Sequence, residues 1–590
     1  MTKLLKNFKP YLGVIIVIIF LTIGQVRATL ELPNQMSEIV DVGIVQKGIT
    51  NPVTQGAGTA ATQLSYILNK GALMLLITVL YMICAVAAGY LASKVSAGVA
   101  RDLRAKVFSR VEAFSLADID KFSIASLIIR STNDIAQVQQ MSFMLLRIAL
   151  IAPFMAIGAI LMTLKADGQL TWIIGVAIPL LAILVGITAR FAMPLFRSVQ
   201  KKSDRLNQVA REGLTGVRVI RAFNRQDLQR ERFNATNTEL TATTLRVNKL
   251  MTTILPIMMF IIQAVSVAII WFGAKLIDTG GLQIGSLMAF LQYAMQILTA
   301  VMMLSMILIM LPRASVSAER INEVLETDPT IFDPENPRIP GNDAKVEFKD
   351  VSYAFKGADE PALSNISFTA TAGTTTAIIG STGAGKSTLI NLIERLYQAT
   401  SGTITVNDVP VGDVSQEELH NRLGYAPQTA VLFSGTIADN LLIGNENATE
   451  EDMWTALEVA QAKAFVEELP EKLDSYVSQG GKNFSGGQKQ RLAIARAIIR
   501  KPDVYLFDDT FSALDLTTDA KLRAALEPIT KEAVVIMVAQ RISTITHADQ
   551  IIVIDEGRIA GVGTHEELLA TNEVYQEIAH SQLSEEEMSR

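Results

Sequence analysis

The sequence predicts a multidomain membrane protein, in which a six-helix α-helical transmembrane domain is followed by an α/β P-loop nucleotide-binding domain. The chain has 590 residues, more than one hydrophobic core accommodates. Apolar residues make up 49% of it and charged residues 19%, and the mean hydropathy of +0.32 is high for a soluble protein. A glycine-rich segment of the form G-x-x-x-x-G-K-S lies in the second half. We expect a transmembrane domain over 1–320, a linker over 321–340 and a nucleotide-binding domain over 341–590.

The first half contains six apolar runs, each long enough to cross a bilayer with about 20 residues. They lie near Tyr11–Leu30, Ala72–Leu91, Met141–Leu164, Leu170–Ala189, Ile254–Leu276 and Leu287–Leu311. Lysines precede the first run, as in a signal peptide, but it lacks a small-residue cleavage site and further spans follow it. We therefore expect it to be a retained helix.

The orientation in the membrane follows from two long basic segments. One separates spans two and three and includes Arg101, Arg104 and Arg110, and the other separates spans four and five and includes Arg197, Lys201 and Arg205. Because Lys and Arg concentrate on the cytoplasmic side, both termini, both segments and the second domain are expected in the cytoplasm. Both segments keep a helical spacing of apolar residues, which predicts that the spans continue as helices beyond the membrane.

Beyond the last span, long apolar runs give way to a linker and then to short strand-like segments. Ser315–Glu326 reads as the helical exit from the span, and prolines 329, 334, 337 and 340 then mark a linker. Short β-branched runs follow and alternate with amphipathic helices and glycine turns, which is typical of an α/β domain. These runs are Lys345–Phe348, Thr376–Ile379, Val534–Val538 and Ile551–Ile554.

Composition also excludes several classes of function. The net charge of −6 is modest and argues against a nucleic-acid partner. The single cysteine, Cys84, leaves no intrachain disulfide framework. The four histidines all lie after residue 400, which argues against a clustered metal site.

The glycine-rich segment is the strongest chemical signal. It runs from Gly380 to Ser387, follows the predicted strand Thr376–Ile379 and opens a predicted helix, which is the context that a phosphate-binding loop requires. Its glycines let backbone N–H groups approach phosphates, and the helix N-terminus adds partial positive charge. Lys386 can reach the outer phosphates of ATP, and the Ser387 hydroxyl can bind Mg²⁺. ATP and Mg²⁺ are thus the predicted ligands.

Two downstream features complete this interpretation. Asp508 ends the apolar strand that begins at Val504, where a carboxylate on the Mg²⁺ side is expected. Between the loop and this strand, Ser485 precedes two glycines and is predicted to cap a helix over Gln488–Arg500. That helix start is a second candidate anion site.

With these motifs in order, the whole chain resembles the ATP-binding cassette (ABC) transporters, as a half-transporter of the exporter type. Phe484-Ser-Gly-Gly-Gln488 resembles the signature motif of the family, Tyr353 the aromatic that stacks on adenine, and Gln428 the glutamine that touches Mg²⁺. Ser512-Ala-Leu-Asp515 resembles the loop that crosses to the partner cassette. The resemblance implies that the ATP-binding set of this chain is Tyr353, Gly380, Ser381, Thr382, Gly383, Ala384, Gly385, Lys386, Ser387, Thr388 and Gln428. It implies that Phe484, Ser485, Gly486, Gly487, Gln488 and Asp515 act in trans, and that Ser387, Gln428 and Asp508 hold Mg²⁺.

The family resemblance further implies a dimer of half-transporters in a lipid bilayer. Each ATP lies between the P-loop of one chain and the signature motif of the other. The tips of the two basic loops resemble the coupling helices that carry cassette closure to the spans. The coupling residues are then Asp118 and Phe122 in the first loop, and Arg218 and Phe223 in the second.

The chain departs from the family pattern at two positions near the γ-phosphate. Asp509 stands where the family has a catalytic glutamate, and Gln540 stands where it has a histidine. The aspartate carboxylate is one methylene shorter and is expected to lie roughly 1.5 Å further back. A misplaced general base can lose much of an effect of about 10²–10⁴-fold. Glutamine can still donate a hydrogen bond to phosphate but carries no charge.

We interpret the two departures as a division of labour within a heterodimeric multidrug exporter of a bacterial cytoplasmic membrane. The P-loop of this chain would belong to a degenerate site, and its intact signature motif would complete the competent site of the partner. The cargo would be small hydrophobic or amphipathic compounds. Two alternatives stay open: a homodimeric lipid or peptide exporter that hydrolyses ATP slowly at both sites, and an ATP-gated regulatory or channel-like subunit.

One face of the last span is a candidate substrate surface. Its members recur at spacings of three and four, which places them on one side of a helix. Polar groups within a span prefer the protein interior, and methionine adapts to varied ligands. Ordinary helix–helix packing with a few hydrogen bonds is the favoured explanation of the same pattern. The face consists of Gln292, Gln296, Thr299, Met303 and Met306.

Overall fold

The computed structural model describes residues 2–45, 58–166 and 168–582. The chain divides into two compact units. The first comprises the residues up to Glu112 together with Ile124–Thr327, and the second comprises Ala113–Ser123 together with the residues from Asp328 onward. The short loop 113–123 therefore groups with the second unit, although its neighbours in sequence belong to the first.

The first half of the chain is helical. A 3₁₀ helix over Thr2–Tyr11 precedes α1, and a π-helix over Ile39–Ile44 follows it. The α-helices in chain order are α1 (Leu12–Glu38), α2 (Gly58–Glu112), α3 (Leu116–Phe122), α4 (Ile124–Ser131), α5 (Asn133–Ala166), α6 (Thr171–Thr215), α7 (Val217–Ala222), α8 (Gln226–Asp278) and α9 (Ile284–Glu326). Of these, α3 belongs to the second unit.

Six helical segments in the described ranges are long and apolar enough to cross a membrane. Each overlaps one of the six apolar runs of the sequence, in the same order, so the predicted number and order of spans are confirmed. Helix α2 has 55 residues, which at 1.5 Å per residue is roughly 80 Å, far more than a hydrocarbon core of about 30 Å. Helices α6 and α8, with 45 and 53 residues, exceed it likewise. The spans therefore continue as helices beyond the bilayer, as their apolar spacing predicts.

The second unit contains three β-sheets. Its strands are β1 (Lys345–Tyr353), β2 (Leu363–Thr371), β3 (Thr375–Gly380), β4 (Ser401–Val406), β5 (Val409–Pro410), β6 (Leu423–Ala426), β7 (Gly435–Thr436), β8 (Tyr476–Val477), β9 (Val504–Asp508), β10 (Val534–Val538), β11 (Gln550–Asp555) and β12 (Arg558–Gly563). One sheet has the order β2-β1-β4-β5 and is antiparallel. The central sheet has the order β12-β11-β3-β10-β9-β6, and β7 pairs with β8.

Helices and the antiparallel sheet pack against the central sheet. The helices after the linker are α10 (Lys386–Ile393), α11 (Gln416–Asn421), α12 (Ile437–Leu442), α13 (Glu450–Val459), α14 (Lys463–Glu467), α15 (Gly486–Ile498), α16 (Leu516–Leu526), α17 (Ile542–Ile545), α18 (His565–Thr571) and α19 (Glu573–Gln582). Strand β10 is buried throughout. Val534, Ile536 and Val538 belong to one hydrophobic cluster, and Val535 and Met537 to another. Both faces of the strand are covered, which explains its unbroken apolar sequence.

The central sheet also explains where the chemistry gathers. Strands β11, β3, β10, β9 and β6 run parallel to their neighbours in this order. The segments that follow β3, β10, β9 and β6 therefore leave from the same edge of the sheet. In open α/β sheets, ligands bind at this carboxyl edge.

Candidate ATP-binding and hydrolysis site

The P-loop connects the end of β3 with the start of α10. Gly383 and Gly385 have φ angles of 88° and 97°, in the left-handed region that glycine adopts without strain. At Gly385 a Cβ atom would also lie 2.9 Å from the carbonyl oxygen of Ala362. The Lys386 ammonium group donates to the carbonyl oxygens of Gly380 and Ser381, each at 2.8 Å. A cation and open backbone amides thus share one loop, as binding of a polyphosphate requires.

Electrostatics at the loop agree with this fit. Burial lowers the pKa of the Lys386 ammonium group, and the nearby Asp509 and Asp508 carboxylates oppose that effect. Burial also raises the pKa of Asp508, and the neighbouring charge of Asp509 adds to the rise. The Lys386 cation thus lies near two buried carboxylates, those of Asp508 and Asp509, which are 5% and 6% exposed.

Ser387 and Asp508 form the candidate Mg²⁺ group. The Ser387 Oγ donates to Asp508 Oδ1 at 3.0 Å. A hydroxyl and a carboxylate are the hard oxygen ligands that Mg²⁺ accepts beside phosphate oxygens. The donor set therefore fits the ion, and the first turn of α10 and the end of β9 supply it.

Asp509 lies in the turn directly after β9. Its backbone has φ 49°, and its N–H donates to the carbonyl oxygen of Val538 at 3.0 Å. The side-chain amide of Gln428, which follows β6, donates to Asp509 Oδ2 at 3.2 Å. The structure thus brings together Gln428, Asp509, Asp508 and Ser387 from three different elements.

Gln540 follows β10 and is exposed. A cleft of about 420 Å³ is lined by Ser512, Gln540, Arg541, Ser543 and Gln582. Gln582, on α19, was not indicated by any sequence motif, and its amide holds the backbone of the loop after β10.

The signature segment forms the helix cap that the sequence predicts. The Ser485 hydroxyl accepts from the backbone N–H of Gln488 at 3.3 Å, and the Gln488 side chain accepts from the backbone N–H of Ser485 at 2.9 Å. This reciprocal capping box starts α15 at Gly486, two residues before the predicted start at Gln488. Asp515 caps α16 and accepts from the backbone N–H of Thr518 at 2.9 Å.

The position of Tyr353 bears on its predicted stacking on adenine. Tyr353 is only 6% exposed, because it continues the inward-facing positions of β1 after Val351. Its ring packs against Tyr397 and Phe355, with centroids 5.3 and 5.0 Å away, and burial raises its pKa to about 12. Phe355, just beyond the strand, is 42% exposed. Phe355 is therefore the most exposed aromatic ring of this group.

The first candidate coupling segment, helix α3, groups with the second unit. Asp118 Oδ2 accepts from the backbone N–H of Thr330 at 2.9 Å and from the backbone N–H of Ser115 at 3.1 Å. Burial raises the pKa of Asp118, but the hydrogen bonds from Thr330 and Ser115 outweigh it, so that the pKa lies below its ordinary value. Phe122 is buried and stacks on Phe114 at 5.8 Å.

The second coupling segment, helix α7, has no buried residue, and both Arg218 and Phe223 are exposed. On α9, the side chains of Gln292 and Thr299 are exposed, and Gln296 and Met303 are half-buried. The side chain of Met306 lies outside the described residues. The structure therefore keeps these positions on one helix.

Fold and site together define a membrane transporter that couples ATP hydrolysis to transport. Residues 15–301 match the model of the ABC transporter transmembrane region, and residues 363–512 match the ABC transporter model. An uncharacterized ABC transporter ATP-binding protein of Mycobacterium tuberculosis is 44% identical, over 98% of this chain and 97% of its own length. The chain belongs to the ABC transporter family, as a half-transporter with fused transmembrane and ATP-binding domains.

Other relatives are more distant. The chain is 30% identical to the ATP-dependent lipid A-core flippase of Chromobacterium violaceum, over 84% of this chain and 85% of the flippase. It is 29% identical to a multidrug resistance ABC transporter ATP-binding and permease protein of Lactococcus lactis, over 82% of each. Among solved structures, that of a bacterial Atm1-family ABC exporter with ATP bound matches with a TM-score of 0.81 at 23% identity, covering 98% of both chains. The fold is that of an ABC exporter, a class that works as a dimer in a membrane.

Proposed function

We propose that the chain is one half of a heterodimeric exporter of hydrophobic or amphipathic compounds. Its P-loop, Asp509 and Gln540 form a degenerate ATP site, and its signature motif completes the competent site on the P-loop of the partner half-transporter. The observation that carries the proposal is the contrast between two regions. The phosphate-binding parts and the capped signature helix keep their chemistry, whereas both departures fall at the γ-phosphate.

The geometry around Asp509 supports the degenerate site. Its carboxylate is short and buried, and it already accepts a hydrogen bond from Gln428. A general base must come within hydrogen-bond reach of the water from which it takes a proton. A shorter side chain that is held by an amide donor reaches less far and is a weaker base. The site therefore binds ATP through Lys386 and Ser387 and turns it over slowly.

The residues of the site have the following proposed roles. Lys386 and the loop amides hold the phosphates, and Phe355 replaces Tyr353 in stacking on adenine. Ser387, Asp508 and Gln428 would hold Mg²⁺, which neutralises charge on the phosphates when bound. Ser485, at the start of α15, and Asp515, at the start of α16, act on the partner's nucleotide.

The membrane arrangement and the cargo belong to the same proposal. We place the chain in a bacterial cytoplasmic membrane, with both termini and the nucleotide-binding domain in the cytoplasm. The polar and methionine face of α9 would contact the cargo. The multidrug name of one relative supports this class of substrate, and the lipid flippase name of another supports the alternative, a homodimer that exports lipid.

The test compares two variants in the purified complex with its partner half-transporter. We expect Asp509→Ala to change ATP turnover less than about twofold, because the partner's site performs the hydrolysis. We expect Ser485→Ala to reduce turnover by about 10²-fold or more, because it removes a donor from the competent site. Turnover would be measured as phosphate release at saturating ATP.

Asp509→Glu is the matched control, since it restores the usual side-chain length. In the heterodimer it should add a second working site and raise turnover at most about twofold. The reverse ranking, with Asp509→Ala abolishing turnover and Ser485→Ala tolerated, would overturn the assignment. Full turnover by the purified chain without a partner would favour the homodimer.

A further inference from the structure

The amide of Gln582 contacts the loop that carries Gln540 twice. Its Nε2 donates to the carbonyl oxygen of Gln540 at 2.8 Å, and its Oε1 accepts from the backbone N–H of Ile542 at 2.9 Å. One side chain thus fixes the two peptide groups on either side of Arg541. Both contacts involve only backbone atoms of the loop, so Gln582 does not occupy the side-chain amide of Gln540.

We call the two hydrogen bonds between Gln582 and the backbone at 540–542 the Gln582 clamp. Gln582 lies on a helix that is packed into the hydrophobic core. Tyr575 and Ala579 of α19 are fully buried in the hydrophobic cluster beside the central sheet. Gln582 follows them at spacings of four and three, so it continues the same face of the helix. Tyr575 is fixed further by a contact of 2.7 Å between its hydroxyl and His565 Nδ1. Gln582 is therefore held in place by packing one and two turns earlier.

The loop that Gln582 contacts is exposed between two buried segments. Gln540 and Arg541 are exposed, although β10 ends in buried residues and Ile542 is buried. The loop also borders the cleft that Ser512 lines from the segment after Asp509. Its backbone position decides where the Gln540 amide points.

We infer that Gln582 is a positioning residue for the nucleotide site: it fixes the backbone at 540–542 so that the Gln540 amide meets the γ-phosphate of ATP. The inference rests on the proposed role of Gln540 in that site. It implies that α19, at the end of the described chain, contributes to the distinction between ATP and ADP. ADP lacks the γ-phosphate, so its binding should not depend on the clamp.

The experiment measures the affinities of the purified full chain for AMP-PNP and for ADP, each with Mg²⁺, by displacement of a fluorescent ATP analogue. We expect Gln582→Ala to lower the preference for AMP-PNP over ADP by about fivefold, the size of one hydrogen bond to a charged group that is partly lost. The affinity for ADP should stay unchanged. Gln582→Glu keeps the acceptor for Ile542 but sets a carboxylate oxygen against the carbonyl oxygen of Gln540, so it should lower the preference at least as much as Gln582→Ala.

Gln576→Ala is the matched control. Gln576 lies on the same helix, and its amide donates to the carbonyl oxygen of Leu569 instead. It should leave both affinities unchanged. If Gln582→Ala left the preference for AMP-PNP over ADP unchanged, or lowered both affinities equally, Gln582 would not be a positioning residue for the nucleotide site. Gln540→Ala distinguishes the role of Gln582 from the role of Gln540. If that variant keeps the preference for AMP-PNP over ADP, the proposed role of Gln540 is wrong as well.

Discussion

Tyr353, buried at the end of β1, and Phe355, exposed just beyond it, have different proposed roles in ATP binding. We predict that Phe355→Ala weakens ATP binding by about tenfold, because stacking on a base contributes about 1–3 kcal/mol. Tyr353→Phe should change the affinity less than about twofold, because the buried ring and its packing are retained. The dissociation constant of the full chain for Mg-ATP would be measured by titration.

Phe355→Tyr provides the control, since it keeps a stacking ring and should bind ATP like the parent. If Phe355→Ala left the affinity for Mg-ATP unchanged, the proposal that Phe355 stacks on adenine would be wrong.

Glu394 is a second residue whose environment makes a prediction. It follows α10, is 6% exposed, and its Oε2 has no hydrogen-bond partner among the described residues. Burial, with the charge of Asp508, raises its pKa to about 8. The folded carboxyl therefore binds its proton more tightly than the unfolded one. Its contribution to stability is present below the ordinary pKa of 4.5 and is lost as the pH rises towards 8.

We predict that Glu394→Gln, which resembles the protonated form, removes this part of the pH dependence. At pH values above about 8, the unfolding midpoint of the second unit should rise by at least about 3 °C, the shift for about 1 kcal/mol in a unit of this size. Scanning calorimetry of the full chain at several pH values tests it. Glu446→Gln, at an exposed position, is the control, and an equal midpoint for both variants at all pH values would contradict the prediction.

These residues show which parts of the site a sequence reveals. Asp508 and Ser485 were predictable, because a strand end and a helix cap are local features of pattern and spacing. The buried position of Tyr353 also had a signal, since it keeps the alternation of Val351. The raised pKa of Glu394 and the clamp by Gln582 had none, because both depend on residues that are distant in sequence.

Among the elements, α3 has hydrogen bonds that bear directly on its proposed coupling role. The carboxylate of Asp118 completes the capping box with Ser115 and also accepts two hydrogen bonds from Thr330, in the linker. Hydrogen bonds to a charged group contribute about 1.5–3 kcal/mol each. The helix that joins the spans and the linker that leads to β1 are thus fixed to one carboxylate.

We predict that Asp118→Ala reduces the stimulation of ATP hydrolysis by transport substrate about tenfold, because α3 loses its fixed position on the linker. Asp120→Ala is the matched control on the same helix. Asp120 accepts one longer bond, 3.3 Å, from the Tyr397 hydroxyl, and its loss should reduce stimulation less than about twofold. ATP hydrolysis would be measured with and without substrate, in the complex, and equal losses in both variants would contradict the role of Asp118.

The sequence predicted the helix tip at Asp118–Phe122 but not its grouping with the second unit. The reason is physical: Thr330 lies more than two hundred positions further along the chain, and no periodic pattern encodes such a contact. The number and order of the six spans, by contrast, were predictable, because the thickness of the bilayer sets the length of apolar run that a span needs.

At the scale of the whole molecule, the order of spans predicts which loops face each side of the membrane. If the basic segments are cytoplasmic, the turn after α8 at Thr279 lies outside and the loop after α7 at Phe223 lies inside. Both positions are exposed, and the one native cysteine, Cys84, is buried, so it gives little background labelling. A cysteine at either position can therefore report its side.

We predict that a membrane-impermeant maleimide labels Thr279→Cys on intact cells and labels Phe223→Cys only after the cells are permeabilised. Labelling of both variants by a permeant maleimide is the control for expression and accessibility. The opposite pattern would invert the topology and place the ATP site outside the cell, where it would have no supply of ATP. Labelling of both variants from outside would contradict a crossing of the membrane by α8. Phe223 and Thr279 lie at opposite ends of this helix, which is long enough to span the bilayer.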